Sequence, residues 1–597
     1  MRARAKQGGL SGLAVAGTYV VLLGWDLEDA GLKRGLLGFA IKREDKTESE
    51  TYWLRGMKTF PETQPPLPPG GDASSHEQPY QTFQWADYSA KPGRHYVYTV
   101  IAMQGRPGAL QDGPTIALDV TTESESSDGS LSPHSVFFNR AAIASQEYAR
   151  RFQDKSPDEV GQPAFDWLSR GLAEAIVAYI GQAKDGGYGL RVAIYEFQLP
   201  LFLDALRKAA DRGVDVQIAF DAIENASRAP VDQNEEAVAA AKLGSLCTRV
   251  THGKIMHNKF IVLTKRGKPV SVLTGSTNFT ESAVYGQLNC AHVVADVDVA
   301  KRYLDYWTEI SGDPELGPLR DWTLQATPDP NNPPNAGVVE VFSPRSGLTA
   351  LDAYGEMAAS AGQALFMTFA FGVNEVFVPT YLKQDGVLRF ALLDKEGSGR
   401  GAATGKKTVA DMRNVPNTVV AVGQNIVVNA FDRWLKEAAG LAESKFVKWV
   451  HTKFLLSDPL SDDPIVVTGS ANFSNASTQE NHENMLVIRG DTRVADIYLG
   501  EFMRQFSSYA FRDAAAAAAK KSGDAPENFR PQDLADDDSW VADYFKDGAS
   551  RALRRVYFSG GAAATSLAVG PKAEVEDHGA DKNHDRPTRG KAGRRRS

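Results

Sequence analysis

One pattern occurs twice in this chain. At His257 the sequence reads HNKFIVLT, followed by GSTNFT from Gly275; at His451 it reads HTKFLLSD, followed by GSANFS from Gly469. The interval from His257 to Asn278 equals that from His451 to Asn472, so neither copy carries an insertion. His257 matches His451, Lys259 matches Lys453, Ser276 matches Ser470 and Asn278 matches Asn472. Such a duplication constrains the fold, because related halves pack about a pseudo-twofold axis and bring like positions face to face.

The surroundings of the two copies agree with this. AFDWLSRGLAEAIVAYIGQA has apolar residues at helical spacing, and LRVAIYEF from Leu190 reads as a buried strand. LPLFLDALRKAADRG reads as a helix that stops at Gly213, and VDVQIAFDA as a further strand. The order returns with LDAYGEMAASA from Leu351 as a helix, then ALFMTFAF and DGVLRFALLDK as strands. Strands alternating with helices imply an α/β fold with a mostly parallel, helix-covered sheet. The expected halves are 135–325 and 337–510, divided by the Pro- and Asn-rich TPDPNNPPNAG.

Residues 10–122 read differently, as all-β. GLAVAGTYVVLLGWDL predicts two strands around a Gly-Thr turn, and GLLGFAIKRED a third. A Pro-Gly turn then precedes a strand bearing Tyr96, Tyr98 and Val100. A Trp in an early strand and a Tyr just after such a turn are sandwich features. On these residues the segment resembles a fibronectin type III domain, which implies a binding or spacing module. PETQPPLPPGGDASSHEQP from Pro61 is expected as a loop on it, and TTESESSDGSLSPHS from Thr121 as a polar linker. Residues 511–597 are expected to hold an alanine-rich helical run, then a disordered basic tail ending RGKAGRRRS.

The repeated residues suit a phosphate diester. Lysine offers a compact positive charge with three donors, and the Gly-Ser-x-Asn turn adds a hydroxyl and an amide. Histidine serves as nucleophile, base or acid near neutral pH. Two facing copies would hold one phosphate between two histidines. That arrangement allows double displacement, in which one histidine attacks phosphorus and the other serves the leaving oxygen and then water.

The pattern HxKx4D…GSxN resembles the signature of the phospholipase D superfamily, over about residues 135–510. The resemblance implies a pair of α/β domains with the motifs at their interface, a phosphohistidine intermediate and no required metal or cofactor. Carried over by position, the second motif is complete in His451, Lys453, Asp458, Ser470 and Asn472, whereas Thr264 stands where the first would have its Asp. Glu483 falls where the family has an acidic residue that orients the histidine, and Asn289 is its counterpart in the first half. Pairing Glu483 with His451 would raise that histidine's pKa and suit a general acid. His257 is therefore expected as the nucleophile and His451 as the acid/base, in line with the resemblance.

The remaining composition narrows partners and place. A net charge of −8 over 597 residues argues against coating nucleic acid through bulk charge, though not against a local basic cleft. Cys247 and Cys290 give no disulfide framework and no metal-ligand spacing. Arg2, Arg4 and Lys6 before an apolar stretch resemble a secretory signal, but Leu13, Val15, Tyr19, Val21 and Leu23 alternate as in a strand. No run reaches the ~18 apolar residues of a membrane-spanning helix. The expectation is a monomeric cytoplasmic or peripheral enzyme, with export left open. Its expected substrate is a phospholipid, met from the water side of a membrane; FQLPLF from Phe197 and FAFGVNEVFVP from Phe369, which includes Phe371, are candidate acyl-chain contacts. A nuclease acting on nucleic-acid diesters and a catalytically weak binding protein are the alternatives.

Overall fold

Alternating apolar residues build the N-terminal unit from ten strands. They are β1 (Arg2–Gln7), β2 (Leu10–Ala16), β3 (Val21–Leu27), β4 (Gly38–Asp45), β5 (Glu50–Trp53), β6 (Arg55–Gly56), β7 (Ala73–Ser74), β8 (Gln84–Asp87), β9 (His95–Arg106) and β10 (Ala109–Thr121). The structure, a computed structural model, describes the chain apart from residues 68–70, 128–131, 225–229, 328–336, 398–400, 424–449, 523–532 and 562–597. The Pro- and Asn-rich divider and the basic terminus lie largely or wholly outside the described residues. Two antiparallel sheets of order β1-β2-β3-β8 and β10-β9-β4-β5 enclose a core of Trp25, Phe39, Phe83, Tyr96 and Tyr98. The predicted early tryptophan is fully buried, and the Tyr96 hydroxyl accepts a hydrogen bond from the Lys91 N–H at 2.9 Å. The apolar N-terminal stretch forms β2 and β3, as its alternation predicts, and β1 adds an outer strand that the sequence reading did not include.

The rest of the chain repeats one sheet. The first comprises β11 (His134–Phe138), β12 (Tyr188–Ile194), β13 (Asp215–Asp221), β14 (Cys247–Val250), β15 (Lys259–Lys265), β16 (Lys268–Gly275) and β17 (Cys290–Val294), in the order β11-β17-β16-β15-β12-β13-β14. The second comprises β18 (Gly337–Ser343), β19 (Ala364–Phe369), β20 (Leu388–Leu393), β21 (Thr418–Val422), β22 (Phe454–Ser457), β23 (Ile465–Gly469) and β24 (Glu483–Arg489), in the order β18-β24-β23-β22-β19-β20-β21. The sheets are mixed, which corrects the expectation of a mostly parallel one. Only β12-β13-β14 and β19-β20-β21 run parallel. Helical crossovers feed those strands, whereas each motif folds as an antiparallel hairpin, β15-β16 or β22-β23, that needs no crossover.

Packing ties the units together. The helix Val297–Ser311 puts Tyr306 against Phe342 of β18, with ring centroids 4.4 Å apart, and the helix Thr492–Ser522 puts Tyr498 against Phe138 of β11 at 5.2 Å. The second helix runs through position 510, where a boundary was expected. On it the buried Glu501 pairs with Arg170 of the first half at 2.7 Å, and Asp496 pairs with Arg2 of β1 at 2.8 Å. Beyond it the chain returns to the sandwich. Val541 enters the sandwich core, the Trp540 indole donates to the Leu36 carbonyl at 2.9 Å, and Tyr557 and Phe558 enter the α/β core. Composition had marked this stretch only as polar.

The return depends on a glycine. A Cβ on Gly24 would lie 2.0 Å from the Phe558 carbonyl oxygen, so the helix Ser550–Phe558 seats on β3 only because that position is bare. Replacing Gly24 with Ala should destabilise the protein by about 1–3 kcal/mol through overpacking. Denaturant unfolding measures that loss, and limited proteolysis should show faster cleavage between residues 533 and 561. An unchanged midpoint and cleavage rate would contradict the contact.

Candidate active site

The antiparallel hairpins deliver the motif to one edge of each sheet. His257 and Lys259 sit where β15 begins, Ser276 and Asn278 where β16 has ended, and Asn289 just before β17. His451, Lys453, Ser470, Asn472 and Glu483 occupy the same places around β22, β23 and β24. The motif glycines make this approach feasible. Gly275 (φ 143°) and Gly469 (φ 157°) leave no room for a side chain, since a Cβ would come within 2.3 Å of the Cys290 carbonyl oxygen and 2.2 Å of that of Asn484.

The two edges meet. The His257 N–H donates to the His482 carbonyl at 2.9 Å, and the His451 N–H to the Leu288 carbonyl at 3.2 Å. The histidine rings face each other with centroids 6.4 Å apart. His257, Lys259, His451 and Lys453 are 5, 2, 6 and 1% exposed, so the site is walled in protein. Lys259 Nζ donates to the His257 carbonyl and Lys453 Nζ to that of His451, the latter at 2.6 Å. Burial pushes the Lys259 ammonium down to about 7 and holds Lys453 well below its ordinary value.

The histidine partners are crossed between the halves, which corrects the expected pairing. Glu483 holds His257, with its carboxylate oxygens 2.9 and 3.0 Å from Nδ1. The Asn289 amide oxygen lies 2.8 Å from Nδ1 of His451. The reason is topological: β24 runs beside β23 in its own sheet, but its first residue, Glu483, lies at the interface, where His482 before it bridges to Met256 ahead of β15. The motif serines hold these partners. Ser470 Oγ donates to Glu483 at 2.6 Å, and Ser276 Oγ donates to Asn289 at 2.8 Å. Each serine accepts in turn from a backbone N–H of the next strand, Asn484 or Cys290.

Charge states follow from these neighbours. Burial pushes His257 down to about 4, aided by Lys259 and Lys453 and opposed by Glu483. Burial also holds His451 well below its ordinary value, with both lysines and His257 adding to the effect. Glu483 stays below the usual carboxylate range despite burial, because His257, Lys259 and Ser470 favour its ionised form. Burial thus favours neutral imidazoles beside an ionised Glu483, and the oxygen partner at each Nδ1 favours the tautomer that carries its proton there.

Asp458 is not part of this constellation. Its carboxylate accepts from the N–H groups of Gly362, Gln363 and Ala364 at 2.7–2.8 Å and fixes the start of β19. That placement explains Thr264: the first half carries a strand-pairing residue opposite Gly189 there. Two other aspartates, which sequence reasoning missed, lie nearer the chemistry. Asp221 accepts from the Met256 N–H at 2.6 Å and Asp394 from the Val450 N–H at 3.0 Å, each steadying the residue before a motif histidine. The signal was their shared place at the ends of β13 and β20. Glu196 was missed as well. It follows β12, accepts from Asn278 Nδ2 and feels both lysines; burial raises its pKa while they oppose the shift. Among the described residues, no group of three or more His, Cys, Asp or Glu side chains is arranged to hold a metal ion. Nor is any described helix long and apolar enough to cross a membrane.

A family model described as "Cardiolipin synthase, PLD-like domain" matches residues 176–310 and 415–506. The matched segments contain both motif copies. Solved structures similar to this chain include a polyphosphate kinase from Porphyromonas gingivalis, at 12% identity and a TM-score of 0.35. That match covers 53% of this chain and 43% of the kinase, less than half its length. Nuc, a phospholipase D family member from Salmonella typhimurium, is 27% identical with a TM-score of 0.21 over 24% of this chain and 86% of its own. A phosphatidylserine synthase from Haemophilus influenzae is 12% identical with a TM-score of 0.39 over 56% and 84%. No curated protein sequence matches the chain.

Two outcomes test the site as built. Replacing Asp458 with Asn should cost about 1–3 kcal/mol of stability, the range for hydrogen bonds to a charged group. The folded enzyme's turnover number should be retained; a large fall in turnover would return Asp458 to the phosphate site. Acid should also destabilise the fold. Burial pushes His134, His257 and His482 each down to about 4. Between roughly pH 6.5 and 4 the unfolded chain thus binds protons that the folded chain does not. Stability present above pH 6.5 should be lost progressively as pH falls through that window. Urea midpoints measured from pH 7 to pH 4.5 check it, and a midpoint that rises on acidification would contradict it.

Proposed function

We propose that the protein is a phosphodiesterase that works through a phosphohistidine on His257, with a phospholipid head-group ester as its substrate. The observation that carries the reading is the pair of buried, facing histidines, each flanked by its own lysine and supported across the interface. A phosphate between the rings would receive donors from Lys259, Lys453, Asn278 and Asn472.

Roles follow from the crossed partners. Ionised Glu483 keeps the proton of His257 on Nδ1, which leaves Nε2 as the attacking lone pair. It also stabilises the imidazolium character that N-phosphorylation creates. His451 faces only an amide, so its imidazolium is less stabilised and gives up a proton more readily. An anionic diester raises the pKa of this histidine on binding, which loads it with that proton. His257 Nε2 then bonds to phosphorus, the P–O bond to the leaving group breaks, and His451 Nε2–H protonates the departing oxygen. In the second step His451 takes a proton from water, the water oxygen bonds to phosphorus, and the N–P bond breaks, returning His257.

Three features favour lipid over nucleic acid. The matching family model is named for a lipid synthase. The net charge is negative. The apolar segments at the site end of the sheets each expose one large side chain, Leu201 at 42% and Phe371 at 38%, while Phe197, Phe202 and Phe377 beside them are buried. The N-terminal unit fits a fibronectin type III-like module: its strand order supports that reading, as does the Tyr96 hydroxyl bonded back to Lys91.

The experiment offers the purified protein phosphatidylcholine vesicles and, separately, single- and double-stranded DNA, all with chelator. Choline release that falls by at least about a thousandfold in His257→Ala is expected, in keeping with loss of a covalent nucleophile. Mass spectrometry after acid-free quenching of His451→Ala should find the phosphoryl adduct on His257. An adduct on His451 reverses the roles, and DNA cleavage without choline release replaces the lipid reading with a nuclease.

A further inference from the structure

We infer that Asn139, with the turn it ties down at Ser282–Gly286, is a positioning residue that presents the Asn289 amide to His451 oxygen first. This rests on the phosphodiesterase reading above and deepens it at the acid/base histidine.

The need for such a residue comes from the partner itself. The Glu483 carboxylate offers His257 an acceptor whichever way it lies, but the Asn289 amide, turned over, would offer His451 a donor. With Nδ2 in that place, His451 would keep its lone pair on Nδ1 and its proton on Nε2. That tautomer cannot take a proton from water at Nε2. Something must therefore fix the amide.

It is fixed against backbone carbonyls, which can only accept. Asn139 follows β11 and is fully buried. Its Nδ2 donates to the Gln287 carbonyl at 2.7 Å and to the Val284 carbonyl at 2.8 Å, and reaches that of Ala283 at 3.3 Å. Its Oδ1 therefore faces the other way and accepts from the Asn289 N–H at 3.0 Å. The Ala283 carbonyl also accepts from Asn289 Nδ2 at 2.8 Å. That leaves Asn289 Oδ1 for His451 Nδ1 and for the Ser276 hydroxyl, each at 2.8 Å. Turned over, Asn289 would set its oxygen against the Ala283 carbonyl, acceptor against acceptor.

The turn and the asparagine are built for each other. The Gln287 N–H donates to the Ser282 carbonyl at 2.7 Å, five residues back, which closes Ser282–Gly286 as a π-helical turn. A helical turn that ends leaves carbonyls without a donor of its own, and Asn139 supplies one. Asn139 is itself held by its main chain. Arg504 donates to its carbonyl at 2.7 Å and Arg170 to the Phe138 carbonyl at 2.9 Å, and both arginines pair with the buried Glu501.

The second half is built differently where the partner is a carboxylate. Ser470 and Glu483 are 13 residues apart, as are Ser276 and Asn289. In the second half that length closes as an α-helical turn, Asn475–Gln479. The strand pairs Phe138–Cys290 and Phe342–Asn484 correspond, which puts Ser343 at the place of Asn139. The asparagine and the π-helical turn thus occur together in the half whose partner residue is an amide.

Nitrogen NMR of the full chain with labelled histidine rings tests this, since a protonated and a bare ring nitrogen differ widely in shift. In the wild type at neutral pH, His257 and His451, assigned by their loss in His257→Gln and His451→Gln, should both carry the proton on Nδ1. Two variants probe Asn139. Asn139→Ser installs the residue type that the second half has there, and Asn139→Asp keeps the acceptor but loses the amide donors. Each should move part of the His451 proton to Nε2 and leave His257 as it was. Choline release, whose departing oxygen needs a proton, should fall about two- to tenfold in kcat with KM little changed, the worth of one neutral hydrogen bond. A p-nitrophenyl diester, whose leaving group needs no proton, should lose less. An unchanged His451 tautomer in both variants overturns the inference. A change at both histidines together, unfolding included, also overturns it, because it marks a merely structural role. If the wild type turns over no diester, the phosphodiesterase reading falls, while the ring-nitrogen result still decides what Asn139 does to the amide.

Discussion

Two lysine amines are held out of water beside two imidazoles, and much of the structure answers to that. Burying an ionised group costs several kcal/mol even after relaxation unless charge and hydrogen bonds compensate. Compensation comes from across the interface. Glu483 from the second half acts on Lys259 and His257 of the first, and the lysines sit on the carbonyls of their own histidines. The two sheets therefore cannot separate without stranding charge. The aromatic packing of Tyr306 on Phe342 and Tyr498 on Phe138 closes the same interface with apolar area.

The duplication is complete in backbone and incomplete in chemistry. Both halves use a glycine to let strands approach, a serine to hold the partner residue, and an aspartate at a strand end to steady the residue before the histidine. They differ where substrate would be touched. One histidine has a carboxylate and the other an amide. Symmetric scaffolding thus holds an asymmetric site, in which two like side chains have different partners.

What was legible in the sequence divides along the same line. Residue type and spacing at His257, Lys259, Ser276 and Asn278, repeated at His451, were enough to pick out residues that the fold brings together, since local chemistry is written locally. The β-sandwich strands were legible because alternation is also local. The crossed pairing of Glu483 and Asn289 was not, because it depends on which strand edge faces which across an interface, and no spacing encodes that. The mixed sheet was misread for a related reason: a hairpin such as β15-β16 has the same apolar run as a parallel strand. Asp458 misled by standing inside the motif while serving only the turn before β19. The returning segment at 533–561 was hidden by polar composition, although Trp540, Tyr544, Tyr557 and Phe558 were its signal.

The crossed pairing also has a meaning in time. Glu483 stands 226 residues after the histidine it orients, whereas Asn289 precedes its histidine. A ribosome adds about 5–20 residues per second, so His257 waits roughly 10–45 seconds for its carboxylate. His451 emerges to find its amide already made. Until the last strand of the second sheet is synthesised, the nascent chain holds His257 without its orienting charge.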